Sequence, residues 1–285
     1  VGHSYIVYGP LIKGATTVLY EGKPIGTPDA GAFLRMIESH KVNVLFAAPT
    51  AFRAIRKADP DAEFLSKYNT SSLRTLFMAG ERLDPPTYFW ASEKVGVPVI
   101  DHWWQTETGW PICSNPMGLE PMATKPGSSS VPTPGFNVKV LQGADEQQIT
   151  GEKGAIAIKL PLPPGCLTTI WQDHQRFVDG YLREFEGYYS TGDNGYVDED
   201  GYVFIMGRTD DVINVAGHRL STGEMEEVLA GHPAIAECSV IGIHDALKGQ
   251  LPVGLVLLKD GVTVDEQALE QDLVQRVRDK IGPVA

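Results

Sequence analysis

The sequence is poor in cysteine. Cys113, Cys166 and Cys238 are its three cysteines, widely spaced and without a CxxC pair. A disulfide-stapled fold or a zinc ribbon is therefore excluded, and three free thiols in a reducing compartment are expected. No run of about 18 apolar residues occurs, so no membrane-spanning helix is expected, and no signal-peptide pattern is visible. Positive charge is also scarce: 24 Lys and Arg face 36 Asp and Glu, a net charge of −12. That balance argues against a nucleic-acid or anionic-membrane surface. It leaves room for an anionic ligand, because backbone N–H groups and a few placed arginines bind phosphate locally. His3, His102, His218 and His244 lack zinc-ligand spacing, and no Ser or Cys motif supports triad chemistry. Lys125-Pro126-Gly127-Ser128-Ser129-Ser130 lacks the spacing of a P-loop. Asp198-Glu199-Asp200-Gly201 lacks the rest of an EF-hand. There is no internal repeat or low-complexity tract.

What is present is a globular composition, 42% hydrophobic over 285 residues, enough for one large domain or two. Up to Ile100, strand and helix signals alternate. Thr16–Tyr20 reads as a strand, and Asp29 caps a helix with Phe33, Leu34 and Ile37 on one face. Val42–Ala48, Thr75–Ala79 and Val97–Ile100 read as further strands with helices between them. This alternation predicts parallel strands with crossover helices, and ligands of such sheets collect beyond the carboxyl ends of the strands. The segments falling there are Ala48-Pro49-Thr50, Ala79-Gly80-Glu81-Arg82 and Asp101 to Glu107. From Lys125 to Leu160, Gly and Pro punctuate short alternating runs, which predicts antiparallel structure as a small barrel or sandwich. A hairpin is expected at Asp198–Gly201. Beyond Asp211, capping boxes at Ser221/Glu224 and Thr263/Glu266 open two helices around strands at Cys238–Ile243 and Val253–Leu258. The fold class is thus α/β, mostly parallel αβ layers plus a small β-barrel, followed by a small α+β domain. The boundary is placed so that residues 1–209 form the large unit and 210–285 the small one.

Two long segments carry chemistry. One is Asp101-His102-Trp103-Trp104-Gln105-Thr106-Glu107-Thr108-Gly109. The other runs from Tyr189-Ser190-Thr191-Gly192-Asp193 to Gly207-Arg208-Thr209-Asp210-Asp211-Val212-Ile213-Asn214-Val215-Ala216-Gly217-His218-Arg219. Together they resemble the adenylate-forming superfamily of acyl-CoA synthetases, luciferases and peptide-synthetase adenylation domains. The paired tryptophans before QTETG and the GHRLST wording are similar to its short-chain acetyl- and propionyl-CoA synthetase branch. The resemblance covers essentially the whole chain. It implies ATP, Mg²⁺ and coenzyme A as cosubstrates and cofactor. A carboxylate attacks the α-phosphate to give an acyl-adenylate and pyrophosphate, and the CoA thiol then displaces AMP.

Residue by residue, the resemblance implies that Gly80, Glu81 and the loop Asp101, His102, Trp103, Gln105 and Thr106 line the adenine slot. Thr106 lies near the α-phosphate, and Glu107 is the magnesium-linked carboxylate. Asp193 accepts the ribose hydroxyls, Arg208 and Arg219 contact ribose or phosphate, and Asp210 is a hinge for the small unit. Gly217 borders the pantetheine tunnel, and Arg278 is either a CoA-phosphate contact or a helix-surface arginine. Trp104 forms the floor of a small acyl pocket walled by Val1 and Ala79. Acetate-selective relatives carry a valine at the Ala79 position, so the alanine favours propionate, unless it only packs beneath its strand. Removing wall methyls is worth about 1–3 kcal/mol of discrimination per methylene.

The chain opens on Val1 and ends on Ile281-Gly282-Pro283-Val284-Ala285. The family's phosphate-binding loop would precede Val1 and its adenylation lysine would follow Ala285. Both ends are therefore expected to be cut, and the chain alone is not expected to be catalytically competent. The readings left open are a propionyl-CoA synthetase, an acetyl-CoA synthetase, and a nucleotide-binding or interaction protein without catalysis. Small-molecule partners are expected, in the cytoplasm or the mitochondrial matrix.

Overall fold

The computed structural model describes residues 5–142, 151–209 and 211–285. Val1 and Asp210 lie outside the described residues, as does the side chain of Arg219.

The chain starts with helix α1 (Tyr5–Lys13) and α2 (Ala32–His40). Strands β1 (Val44–Ala47), β2 (Thr75–Met78) and β3 (Val99–Asp101) alternate with α3 (Pro49–Ala58) and α4 (Pro85–Val95). The three strands form a parallel sheet in the order β1-β2-β3, the predicted arrangement. Local chemistry fixes these boundaries. Pro49 opens α3 at a position where its missing N–H costs nothing. Asp84 caps α4 by accepting from Thr87 N at 2.8 Å, and Gly96 closes that helix at φ 71°. Leu76, Met78 and Val99 are buried and anchor the sheet beneath the two helices.

Thr16–Tyr20 is not a strand. A strand needs a partner for its N–H and C=O groups, and Leu19 instead stands 90% exposed. The predicted cap at Asp29 is displaced as well: Gly31 is the N-cap of α2, and Asp29 closes a local turn by accepting from Gly31 N at 2.9 Å.

A second layer is antiparallel. After the short pair β4 (Cys113–Ser114) and β5 (Val131–Pro132) come β6 (Val138–Leu141) and β7 (Gly154–Lys159). Helix α5 (His174–Tyr181), β8 (Tyr188–Val197) and β9 (Val203–Arg208) follow. The ladder order is β6-β7-β8-β9, with β6 and β9 as outer strands, so the expected small barrel is an open sheet among the described residues. Four strands are too few to close around filled side chains, which takes about eight in small barrels. The predicted hairpin joins β8 to β9, with Gly201 at φ 82°.

The remaining residues build a sheet in the order β11-β10-β13-β12. Its strands are β10 (Val212–Val215), β11 (His218–Ser221), β12 (Ile235–Asp245) and β13 (Gly249–Leu258). Helices α6 (Thr222–Ala230) and α7 (Glu266–Ile281) complete it, and Ile213, Val215, Met225 and Ile235 are its most buried apolar side chains. Ser221 caps α6 as expected, accepting from Glu224 N at 3.4 Å. Asp265, not Thr263, caps α7, accepting from Gln267 N at 3.0 Å and Ala268 N at 3.2 Å. A carboxylate one residue from the helix is the better acceptor for its first N–H groups.

α6 rests closely on β9. A Cβ at Gly223 would stand 2.4 Å from Met206 O, so only glycine permits this approach. Ion pairs join the two regions: Arg82 to Glu227 at 2.7 Å, Lys57 to Asp260 at 3.6 Å, and Lys153 to Glu224.

Candidate active site

A cavity of about 840 Å³ opens where the carboxyl ends of β2 and β3 meet β8 and β9. It is lined by Gly80, Glu81, Asp101, His102, Trp103, Trp104, Gln105, Thr106, Glu107, Asp193 and Arg208, all singled out from the sequence. Arg82, Tyr181, Glu184, Ser190 and Thr191 also line it, and motif reading had given them no role. Ala79 is 4% exposed and lies behind the lining. Gly217, at φ 86° in the β10–β11 turn, and Arg278, exposed on α7, lie away from the cavity.

Asp193 reaches the cavity through a defect in its strand. Along β7, Ile156 pairs with Asp193 while the next residue, Ala157, pairs with Ser190. Thr191 and Gly192 are therefore extra residues in β8, a bulge that re-aims the following side chain. Gly192 takes φ 68°, and a Cβ there would meet the Arg208 guanidinium at 2.9 Å. The bulge is tied down by Thr191 Oγ1 donating to Ile156 O at 2.6 Å and by Thr209 N donating to Gly192 O at 2.8 Å. Arg208, directly across the ladder from Asp193, approaches its Oδ1 at 3.7 Å and donates to Thr191 O at 3.2 Å.

Gln105 locks this strand to the β3 loop. Its Nε2 donates to Asp193 Oδ2 at 2.7 Å and to Thr191 O at 2.6 Å, and its Oε1 accepts from Tyr189 at 3.0 Å. Trp103 Nε1 adds a donor to Asp193 Oδ2 at 3.2 Å. The side-chain amide is thus saturated, and the buried Asp193 carboxylate is held between two motifs almost ninety residues apart. Thr106 begins the single turn Thr106–Thr108 and is exposed at the cavity wall. Glu107 accepts from Tyr181 at Oε1, 2.8 Å away. On the β2 side, Thr50 and Arg53 hold the Glu81 carboxylate.

Trp104 sits in an aromatic box. Phe46 stacks on it at 5.4 Å, while His102 at 4.9 Å and Tyr5 at 5.1 Å present edges. Phe46 carries no motif, and only its place near the end of β1 could have pointed to it.

Asp101 and His102 titrate in opposite directions. Burial raises the Asp101 carboxyl to about 7, partly opposed by the Leu83 N–H and Arg82. Burial lowers the His102 imidazole to about 4. The folded chain keeps the Asp101 proton that the unfolded chain loses near pH 3.9, so this group's contribution to stability falls between about pH 4 and pH 7. His102 has the reverse sign, its contribution rising from about pH 4 to pH 6.5, and the two largely offset each other. Asp101→Asn removes only the falling contribution. The stability of the variant relative to the parent should therefore rise by about 4 kcal/mol across that window. Urea unfolding at pH 4, 5.5 and 7 measures this, and a constant difference would contradict the raised carboxyl.

Comparison with known proteins agrees with this geometry. The AMP-binding enzyme family model matches residues 1–163, and that of the AMP-binding enzyme C-terminal domain matches 224–285. An uncharacterized protein of Pseudomonas aeruginosa is 57% identical over all of this chain and 45% of its own length. Human acyl-CoA synthetase short-chain family member 3, mitochondrial, is 49% identical over 100% of this chain and 42% of its length. Escherichia coli propionate–CoA ligase is 46% identical over 99% of this chain and 45% of its length. The crystal structure of the anthranilate CoA ligase AuaEII in complex with anthranoyl-AMP superposes with a TM-score of 0.78 at 28% identity. That match covers 95% of this chain and 49% of the other. The chain thus spans less than half the length of these relatives and carries part of the adenylate-forming fold. No helix among the described residues is long and apolar enough to cross a membrane. With its family model matched over more than half its length, around a cavity built from the family's two motifs, the chain belongs to the AMP-binding enzymes.

Proposed function

We propose that the longer protein of which this chain is a part ligates a short-chain carboxylic acid, propionate foremost, to coenzyme A with release of AMP. The observation that carries this reading is the convergence of the Asp101–Glu107 loop, Asp193 and Arg208 on one cavity, locked by the 2.7 Å bond from Gln105 to Asp193. In the first half-reaction a carboxylate oxygen attacks the α-phosphorus of ATP and the bond to pyrophosphate breaks. In the second, the thiol sulfur of CoA attacks the acyl carbon and AMP leaves. Asp193 accepts the ribose hydroxyls, as suits an acceptor-only carboxylate already fixed in place. Gly80, Glu81, Asp101, His102, Trp103 and Gln105 form the adenine side, Thr106 meets the α-phosphate, and Arg208 with Arg219 supplies positive charge to ribose or phosphate. Trp104 closes the acyl end, walled by Val1 and Ala79.

The described residues hold no cluster of three or more metal-ligating side chains, and Glu107 is one of the hard carboxylates on the cavity wall. That donor set fits Mg²⁺, which takes one or two carboxylates and completes its shell with nucleotide phosphate oxygens and water. When bound, the ion would neutralise charge on the phosphates. Glu107 would hold it.

Residues 1–209 and 210–285 are proposed to move as two units about Asp210, bringing Gly217 to the pantetheine arm in the second half-reaction. Free thiols suit the cytoplasm or the mitochondrial matrix, and the name of the human relative includes the word mitochondrial. The test is AMP release by the longer protein with acetate, propionate and butyrate. Propionate should give the highest kcat/KM. An acetate optimum would assign an acetyl-CoA synthetase, and nucleotide binding without AMP release from any acid would leave a binding protein.

A further inference from the structure

Two tyrosines to which the motifs assign no role, Tyr181 outside them and Tyr189 at the head of the second, reach into the loop that carries the chemistry. Tyr181 is the last residue of α5, and Tyr189 lies on β8. Their rings stack with centroids 5.4 Å apart and planes within 5°. Phe177 also packs on Tyr181, its ring 5.8 Å away and tilted by 37°, and Tyr189 is fully buried. From this stack the Tyr189 hydroxyl donates to Gln105 at 3.0 Å, while the Tyr181 hydroxyl donates to Glu107 Oε1 at 2.8 Å. Gln105 serves the Asp193 side of the cavity. Glu107 has its backbone oxygen pinned by Leu167 N at 2.6 Å, and its Oε2 accepts no hydrogen bond from the described residues.

A glutamate side chain has three torsions to fix, and holding it in one arrangement costs rotamer freedom. Tyr181 has already fixed it: one oxygen is anchored to a ring that packing immobilises, and the other remains to meet a ligand. A tyrosine hydroxyl keeps its proton at neutral pH and donates it to the carboxylate. A hydrogen bond to Oε1 withdraws some charge from the carboxylate. Orientation outweighs this, because a neutral phenol takes only a fraction of the charge, whereas a swinging side chain would present neither oxygen consistently.

We propose that Tyr181 is a positioning residue for Glu107, setting the divalent-cation affinity of the site from outside the loop, while Tyr189 does the equivalent for Gln105 and the nucleoside side. The proposal rests on the AMP-forming reading given above and names a further residue for it.

The experiment uses the longer protein with Tyr181→Phe, which keeps the ring stack and deletes only the hydroxyl. The Mg²⁺ concentration for half-maximal ATP–pyrophosphate exchange should rise about five-fold, the factor of one lost hydrogen bond. Mn²⁺ binding beside a non-hydrolysable ATP analogue, read by electron paramagnetic resonance, should weaken by the same factor. KM for propionate and metal-free AMP affinity should not move. Tyr189→Phe should do the reverse, weakening AMP binding without shifting the Mg²⁺ dependence. In a Glu107→Gln background, Tyr181→Phe should add nothing to the Mn²⁺ signal. An unchanged Mg²⁺ and Mn²⁺ response in Tyr181→Phe, or an equal response with and without Glu107, overturns the proposal. If the parent protein itself shows no exchange, the AMP-forming reading fails instead, and the Mn²⁺ comparison still decides the role of Tyr181.

Discussion

Trp104→Gly in the longer protein is expected to change which acids it accepts. Hexanoate should gain on propionate by at least about 100-fold in kcat/KM, since each added methylene is worth about 1–3 kcal/mol in a fitting pocket. The indole cannot move aside to admit a longer chain in the parent, because Phe46 stacks on its face and His102 and Tyr5 hold its edges. Aromatic contacts of this kind contribute about 0.5–1.5 kcal/mol each beyond burial, and three of them fix one rotamer. Chain-length profiles from acetate to octanoate, measured as AMP release, check the result. An unchanged profile would remove Trp104 from the acyl end of the cavity. A profile that widens equally in Phe46→Ala would show that the stack, and not the indole alone, sets the limit.

Asp193→Ala should be the most damaging single change to nucleotide binding. The carboxylate is 7% exposed and accepts from Gln105 and Trp103 while facing Arg208. Its removal takes one acceptor from Gln105 and from Trp103, and a negative neighbour from the guanidinium. Each ribose hydroxyl that loses a charged acceptor there forfeits about 1.5–3 kcal/mol of binding. AMP affinity should fall by about 100-fold or more, read by calorimetry on this chain and on the longer protein. Asp193→Asn should do nearly as badly, because its single amide oxygen can serve Gln105 and Trp103 only by turning the NH₂ donors toward Arg208. Affinity within three-fold of the parent in both variants would exclude Asp193 from the nucleoside site.

Much of this site was legible because its residues come in contiguous blocks. The three parallel strands were readable from apolar runs ended by Pro49, Gly80 and the polar Asp101 loop, and those ends are where the cavity opens. Asp193 was readable only through the blocks around it. Its position depends on a bulge at Thr191-Gly192 that single-sequence periodicity does not register, since two extra residues look like a turn. Thr16–Tyr20 failed for the opposite reason: β propensity is real there, but pairing is a property of a second segment. Caps slipped by two residues at Asp29 and Thr263: Asp29 spends its carboxylate on Gly31 N, which opens α2 without a side-chain cap, and Asp265 takes the first N–H groups of α7. The contacts of Tyr181 and Tyr189 could not be found, although Tyr189 heads the second motif, because their partners are 74 and 84 residues away and no spacing rule links them.

The ion pairs that join α6 and the segments beyond it to the body of the chain have a consequence for solution conditions. The acidic partners Asp260 and Glu227 are 71% and 36% exposed, and the Lys153 side chain is 52% exposed. Mobile ions therefore reach all three pairs. The Debye length shrinks from about 8 Å at 0.15 M salt to about 3 Å at 1 M. Ionic strength thus acts as a dial on how firmly the two regions are held together, without touching the close backbone packing at Gly223. Small-angle scattering of the longer protein across a salt series would read that dial directly, as a radius of gyration that grows with salt while the buried cores stay folded.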